Sequence, residues 1–567
     1  MYLEFVNQVV SVLENAVQRA GFEPVEIAPE PSQHADLSSR AAFKLAAVAR
    51  KSPVEVANRI VENSQLRENS LIESIGTTGP YINIKASRTY IDRTFETVRS
   101  KKEAFGGNFY SGKILLEHTS ANPNGPLHVG HIRNSIIGDT LTRILRKAGY
   151  DVDAQYYVND MGRQIAIVSW ALEHFEMDPD LKSDHAIANV YIKANARLED
   201  DPQKVEHIDN LMQLVESGDE EVIKRFDDAV DLAVKGIRST LLRMNVHHDS
   251  FVNESGFVRS GKVSDIVDKI RKTGRTDVDD GALVVDLSDY GFEKTLVVQR
   301  SDGTSLYTTR DLAYHEWKAR QANRIIDILG ADHKLISGQL KATLNAVGLK
   351  EPDIVIFEFV SLPEGSMSTR RGQFITADEL LDKVQARAFE EVEKRRPEMS
   401  PEFMKEVAGM VGIGAVRYDI IKVSPEKSTV FDWKAALDFE KQGGPFIQYS
   451  HARASSILKK AGEEGIWDPE SKPNASVLTD ESEITLIKQI ALFDKVLKQA
   501  ADDLKPHIIA IYGRELADAF NQFYRFSPVL GAETEELRNA RLGLVDCARI
   551  ALANVLETLG MGAPESM

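Results

Sequence analysis

The chain has 567 residues, 43% hydrophobic and 27% charged, which excludes a disordered polymer and, at roughly 100 to 200 residues per domain, predicts about three to five folded domains. Its 69 Lys and Arg stand against 86 Asp and Glu, a formal charge of −17, so bulk charge does not favour coating of nucleic acid and any such partner must be held by specific residues. One cysteine, Cys547, excludes an intrachain disulfide and a Cys-based zinc site, and no run approaches the ~20 apolar residues of a membrane span.

Residues 1–105 combine an amphipathic helix, carried by Phe5, Val9, Val12, Leu13 and Ala16, with one extended run, GPYINIKAS. This pattern predicts a small N-terminal α+β domain. From Gly112 the text changes: KILLEH reads as a short strand and SANPNGP as a turn. Ile132, Ile136, Ile137, Leu141, Ile144 and Leu145 then recur at helical spacing until Ala148-Gly149, and YDVDAQYYV reads as a second strand. Strand, turn, helix and strand make a βαβ unit, which predicts a parallel, doubly wound α/β sheet over residues 106–385. The acidic, mostly helical stretch at about 165–290 reads as an insertion, after which RIIDILG and DIVIFEFV resume the sheet. Residues 386–567 are helical in pattern and predict an all-α bundle.

Two segments carry chemistry. In His128-Val129-Gly130-His131 two imidazoles stand three residues apart where a helix begins, a place whose free amides and macrodipole favour an anion. Gly130 removes a side chain where a flat ring could lie against the backbone. Further on, Ser366-Met367-Ser368-Thr369-Arg370-Arg371-Gly372 sets two guanidinium groups among small hydroxyl residues, which suits a phosphate chain gaining negative charge as it leaves.

Together, HVGH and MSTRRG resemble the HIGH and KMSKS signatures of class I aminoacyl-tRNA synthetases. The surrounding segments ANPNGPLHVGHIRNSIIGDTL, YYVNDMGRQIA, SLYTTRDLAYH, GGPFIQYSHARASSIL and VLETLGMGAPESM resemble the arginyl-tRNA synthetase family over essentially the whole chain. The resemblance implies a Rossmann-type catalytic domain with an inserted domain, an N-terminal add-on that approaches the tRNA elbow, and a C-terminal anticodon-binding bundle. It implies ligation of L-arginine to tRNA(Arg) through an arginyl-adenylate, with ATP bound as its Mg2+ complex, in a cytoplasmic, monomeric enzyme without structural zinc.

By the same resemblance His128, Gly130, His131, Met367, Ser368, Arg370 and Arg371 serve catalysis, and Asn122, Asp332 and His333 join the histidines, Gly130 and Met367 at ATP. Arginine recognition falls to Glu117, Ser120 and Asn122 at one end and to Tyr307 and Asp311 at the guanidinium, with Asp160 and Gln164 as further candidates. A planar five-donor cation is best met by carboxylates in a partly desolvated pocket. Tyr449, His451, Arg453, Tyr524 and Arg525, aromatics interleaved with bases, are the expected tRNA contacts. Ser366 and Thr369 stand where the family's signature carries lysines, which assigns the loop's charge to Arg370 or Arg371.

The residues alone leave open another nucleotidyl transferase of the same superfamily and a non-catalytic tRNA-binding relative. Gly256 to Lys262 fits a phosphate-loop spacing, but Val263 replaces its Ser/Thr and HHDSFVNES is a poor buried strand, so no phosphate loop is expected there. His247 and His248 are expected to be packing or surface residues.

Overall fold

A computed structural model describes residues 1–199, 202–361, 375–437 and 443–567. The central sheet is built from β1 (Lys113–Glu117), β2 (Asp151–Val158), β3 (Ser250–Asn253), β4 (Arg324–Gly330) and β5 (Asp353–Phe357), with every pair parallel and a spatial order of β5-β4-β1-β2-β3. The order reverses at β1, so the crevice at the carboxyl ends of β1 and β4 is where such sheets place ligands. β3 corrects one sequence reading: SFVN pairs with β2 as the sheet's edge, within the stretch read as an insertion. An edge strand needs only partial burial, and Ser250, Phe251 and Val252 are half-buried.

Helix α1 (Val129–Ala148) links β1 to β2 and buries Ile132, Ile136, Ile137, Leu141, Ile144 and Leu145, each contributing about 1.5–3 kcal/mol of apolar transfer. It stops at Gly149, whose φ of 112° places the cap in the left-handed region. Helix α2 (Tyr307–Gln321) precedes β4. A three-stranded antiparallel sheet, Thr276–Asp279, Ala282–Val285 and Leu296–Gln299, packs its apolar side with α2 in a second core containing Val285, Val298, Leu312 and Tyr314.

The N-terminal part holds an antiparallel sheet of Leu37–Ser39, Tyr81–Ala86 and Ile72–Thr78, two strands more than the one extended run the sequence suggested. Helices dominate the C-terminal part, among them α3 (Pro401–Ile421), α4 (Gly444–Glu463), α5 (His507–Phe526) and α6 (Glu535–Thr558). Phe5, Phe95, Ile136, Tyr418, Phe493 and Leu552 lie in one continuous core, so all three parts of the chain pack together. Arg417 of α3 is fully buried between the catalytic and C-terminal parts, donating to Asp139 Oδ2 at 2.6 Å, Met244 O at 2.9 Å and Leu559 O at 2.7 Å. Among the described residues no helix is long and apolar enough to cross a membrane.

Candidate active site

The sheet register puts Glu117 of β1 between Gln155 of β2 and Asp327 of β4, a polar row across three buried strands that must find partners. Helix α2 supplies them from one face. Tyr314 OH donates to Gln155 Oε1 at 2.7 Å, and Lys318 Nζ donates to Glu117 Oε2 at 2.6 Å and Asp327 Oδ1 at 2.8 Å. His315 Nε2 donates to Asp327 Oδ2 at 2.7 Å, while its Nδ1 lies 2.8 Å from Asp311 O and 3.0 Å from Asp311 Oδ1. Both ring nitrogens thus face acceptors, the arrangement of an imidazolium. Burial pulls the His315 pKa down, but Asp311 and Asp327 outweigh it and raise it to about 10. Burial raises Asp327, yet Lys318 and His315 hold it well below the usual carboxylate range. Glu117 goes the other way: its burial wins over Lys318, and its pKa rises.

Beyond Glu117 the backbone takes left-handed conformations at two non-glycine residues in succession, Thr119 at φ 71° and Ser120 at φ 41°, a strain that surrounding bonds must hold in place. Thr119 N donates to Asn134 Oδ1 at 2.9 Å. Ser120 Oγ donates to Glu117 Oε1 at 3.0 Å and accepts from Tyr157 N at 3.0 Å.

The two signature histidines do not simply share the helix's first turn. His128 is the N-cap of α1, its Nδ1 accepting from Gly130 N at 3.1 Å, and its own N–H donates to His131 Nδ1 at 3.2 Å. The rings stack with centroids 3.8 Å apart. Because each Nδ1 is an acceptor, each neutral ring carries its proton on Nε2. Burial lowers the pKa of both, that of His131 to about 3 with a further contribution from His128. A Cβ on Gly130 would stand 2.9 Å from His128 Cε1, so the glycine makes room for the imidazole beside it.

A cavity of about 760 Å³ opens between the end of β2 and the start of α2, lined by Asn122, Gln164, Tyr307 and Arg310 among others, a volume suited to a small-molecule ligand. Burial raises the Tyr307 hydroxyl, and Asp311 and Asp332 add to the shift, so these two carboxyls share the tyrosine's surroundings. Asp332 and His333 are exposed just beyond β4, 3.8 Å from one another. Arg310 donates to Glu254 Oε2 at 3.2 Å, and burial, against that guanidinium, lifts the Glu254 pKa to about 7.

Two of the expected site residues have polar atoms engaged within the fold. Asp160 is buried with its Oδ1 accepting from Ser255 N at 2.8 Å and its Oδ2 from Ser255 Oγ at 2.6 Å; it holds the first turn of helix Glu254–Arg259 and does not line the cavity. His451 is also buried, its Nδ1 bonded to Pro564 O at 2.9 Å, because the chain's end folds back over α4. Its neighbours differ. The Arg453 guanidinium lies 4.7 Å from the Tyr449 ring centroid and 5.1 Å from that of Tyr524, while the two tyrosines are 43% and 44% exposed. Arg525 is exposed and lies over Phe526.

Met367, Ser368, Arg370 and Arg371, with Ser366 and Thr369, lie outside the described residues. The residues flanking them meet the histidine motif: Thr376 bridges to His128, and Ala377 N donates to Leu127 O at 2.7 Å. On the other flank, buried Arg133 of α1 donates to the carbonyls of Glu358 and Phe359 and to Lys427 O at 2.7 Å.

Sequence reasoning missed Gln155, Tyr314, His315, Lys318 and Asp327. One signal was present: an acid in the middle of the apolar strand RIIDILG calls for a buried partner. Among the described residues, one group of three metal-capable side chains converges, Asp184, His185 and Asp378. Cations already serve it: Lys182 Nζ lies 3.1 Å from Asp184 Oδ2, and Arg243 Nη1 lies 2.8 Å from Asp378 Oδ1. Cys547 is buried in α6 with Sγ donating to Phe95 O at 3.5 Å.

Three comparisons bear on this arrangement. Residues 100–433 match the family of class I (R) tRNA synthetase catalytic domains, residues 447–567 match the DALR anticodon binding domain, and residues 6–86 match the arginyl tRNA synthetase N terminal domain. An arginine–tRNA ligase of Methanococcoides burtonii is 66% identical over 567 residues, all of both chains, and one of Methanosarcina acetivorans is equally similar over the same span. Among solved structures, the Thermus thermophilus arginyl-tRNA synthetase superposes with a TM-score of 0.84 at 29% identity, covering 99% of this chain and 100% of its own. A Rossmann-type sheet whose switch point carries a paired-histidine motif, matched from end to end by these relatives, places the chain in the arginyl-tRNA synthetase family, the class I enzymes that aminoacylate tRNA(Arg) in translation.

Proposed function

We propose that the cavity beside Tyr307 binds L-arginine, with Tyr307 and Asp311 meeting the guanidinium and Glu117, Ser120 and Asn122 meeting the amino-acid end, and Gln164 closing one wall. The observation that carries this reading is the common helix face: Tyr307 lines the cavity and Asp311, one turn on, is held by His315. A bidentate acceptor favours a guanidinium over an ammonium, since a buried acid left half-paired is costly.

ATP enters as its magnesium complex at the N-terminus of α1, where the Nε2–H groups of His128 and His131 donate to phosphate oxygens. Gly130 accommodates the adenine, and Asn122, Asp332 and His333 flank it. Arginine's carboxylate attacks the α-phosphorus, pyrophosphate leaves, and a terminal ribose hydroxyl of tRNA then takes the arginyl group as AMP departs. Positioning and charge stabilisation carry most of such chemistry. Met367, Ser368, Arg370 and Arg371 supply the contacts and positive charge for the departing pyrophosphate.

In this reading residues 1–105 reach the tRNA elbow and 386–567 the anticodon, where Tyr449, Arg453, Tyr524 and Arg525 stack and pair with bases. The enzyme acts as a cytoplasmic monomer without structural zinc; burial of the one thiol and the cations around Asp184 and Asp378 support the last point. Aminoacylation of tRNA with each labelled amino acid in turn tests the proposal. Arginine alone is expected to be charged, and neither a His128→Ala, His131→Ala variant nor Asp311→Asn retains the wild-type rate. Charging of another amino acid, or an unaffected Asp311→Asn, would sink the assignment of the pocket.

A further inference from the structure

Asp311, His315, Asp327, Lys318 and Glu117 form an unbroken row of alternating charge, linked at 3.0, 2.7, 2.8 and 2.6 Å. Exposure along the row is uneven. The side chains of Asp311 and Glu117, at the two ends, are 33% and 12% exposed, while His315, Asp327 and Lys318 between them are at most 3% exposed. The sealed middle therefore presents one acid at each end. His315 and Lys318 stand less than a turn apart on α2 and both grip Asp327 of β4, so the ends are tied to a helix and a strand, the most rigid supports a fold offers.

We propose that His315 and Lys318 are positioning residues for arginine, fixing through their joint hold on Asp327 the orientation of Asp311 and Glu117 and hence the span between them. This rests on the reading of Asp311 and Glu117 as the acids that meet the two ends of the substrate. A cationic side chain shorter or longer than arginine's then satisfies one end and leaves the other unpaired. The row also carries three acids against two cations, an excess of one negative charge that the single net positive charge of arginine offsets. Tyr314 reinforces the device: its ring centroid lies 4.0 Å from Lys318 Nζ and its hydroxyl is anchored on Gln155, which adds a cation–π contact to the two carboxylates that hold the ammonium.

The test is steady-state aminoacylation at saturating tRNA, reading KM for arginine and for ATP separately in His315→Gln and Lys318→Met. The expected result is an arginine KM raised about tenfold or more, the worth of a hydrogen bond to a charged group, with the ATP KM within about twofold of wild type. Substitution at Lys318 is also expected to narrow the preference for arginine over homoarginine. If a single variant does not fold, His315→Gln with Asp327→Asn leaves no unpaired carboxylate in the sealed middle of the row, and its arginine KM is expected to stay raised because Asp311, at the more exposed end, has still lost its cation. An arginine KM that is unmoved in a folded variant, or that moves in step with the ATP KM, overturns the inference. Asp311→Asn and Glu117→Gln separate the two levels: no effect from either overturns the site reading itself, whereas an effect from both with none from His315→Gln overturns positioning alone.

Discussion

His128 and His131 stack ring on ring at 3.8 Å while the backbone N–H of the first donates to Nδ1 of the second. That bond, with the one from Gly130 N to His128 Nδ1, fixes both tautomers before any ligand arrives. A helix N-terminus already favours anions, and the two rings add Nε2–H donors without adding charge.

The first prediction concerns their protonation. Burial and the neighbouring ring hold His131 at about 3, so in the free enzyme it stays neutral and Nε2-protonated between pH 8 and pH 5. Nitrogen-15 NMR of labelled histidine checks this; an imidazolium signal for His131 at pH 6 would contradict it.

Two glycines of α1 are expected to respond differently to alanine. At Gly138 a Cβ would stand 2.2 Å from His118 Cγ and 2.3 Å from its Cβ, a buried ring base with nowhere to move. Gly138→Ala should cost about 3 kcal/mol or more, read as a fall in the urea midpoint at unchanged slope. At Gly130 the clash is with the half-buried His128 ring at 2.9 Å. Gly130→Ala should therefore displace the imidazole, lowering kcat by at least about tenfold while stability changes by less than about 1 kcal/mol.

Acid should destabilise the fold before its carboxylates titrate. Burial pushes His118 well below its ordinary value and His248, stacked on it at 4.0 Å, down to about 4. Below roughly pH 6.5 the unfolded chain takes up protons that the native state refuses. Stability is then complete above that pH and falls by up to about 1.4 kcal/mol per pH unit for each group as pH drops. His315 has the opposite sign: raised to about 10, its contribution is complete below the unfolded value and is lost as pH climbs through that of the folded state. Urea unfolding at pH 7.5, 6 and 5 should show the acid slope, and His248→Phe should flatten it.

Arg453 lies over both Tyr449 and Tyr524, and loss of this platform should be felt only by tRNA. Arg453→Ala is expected to raise the tRNA KM by about tenfold, within the range of one lost stacking contact, and to leave the arginine and ATP KM values at saturating tRNA unchanged. Equal shifts in all three would remove the platform from tRNA recognition.

Much of this could be read without coordinates. Periodicity found α1 and four of the five strands of the central sheet because 3.6- and 2-residue repeats are local properties, and the HVGH motif was legible because its chemistry sits within four consecutive residues. What escaped was whatever depended on register. SFVN failed as a strand on hydrophobicity alone, since an edge strand is only half-buried. Asp160 and His451 looked available because their types bind ligands, yet Ser255 takes both carboxylate oxygens of the first and Pro564 takes Nδ1 of the second, each from a distant part of the sequence. The row from Asp311 to Glu117 joins one helix to two strands. The sequence by itself determined the periodic elements and the local motifs; only the packing of α2 across β1 and β4 decided which acids are paired, because partners for buried charge are chosen by spatial neighbours.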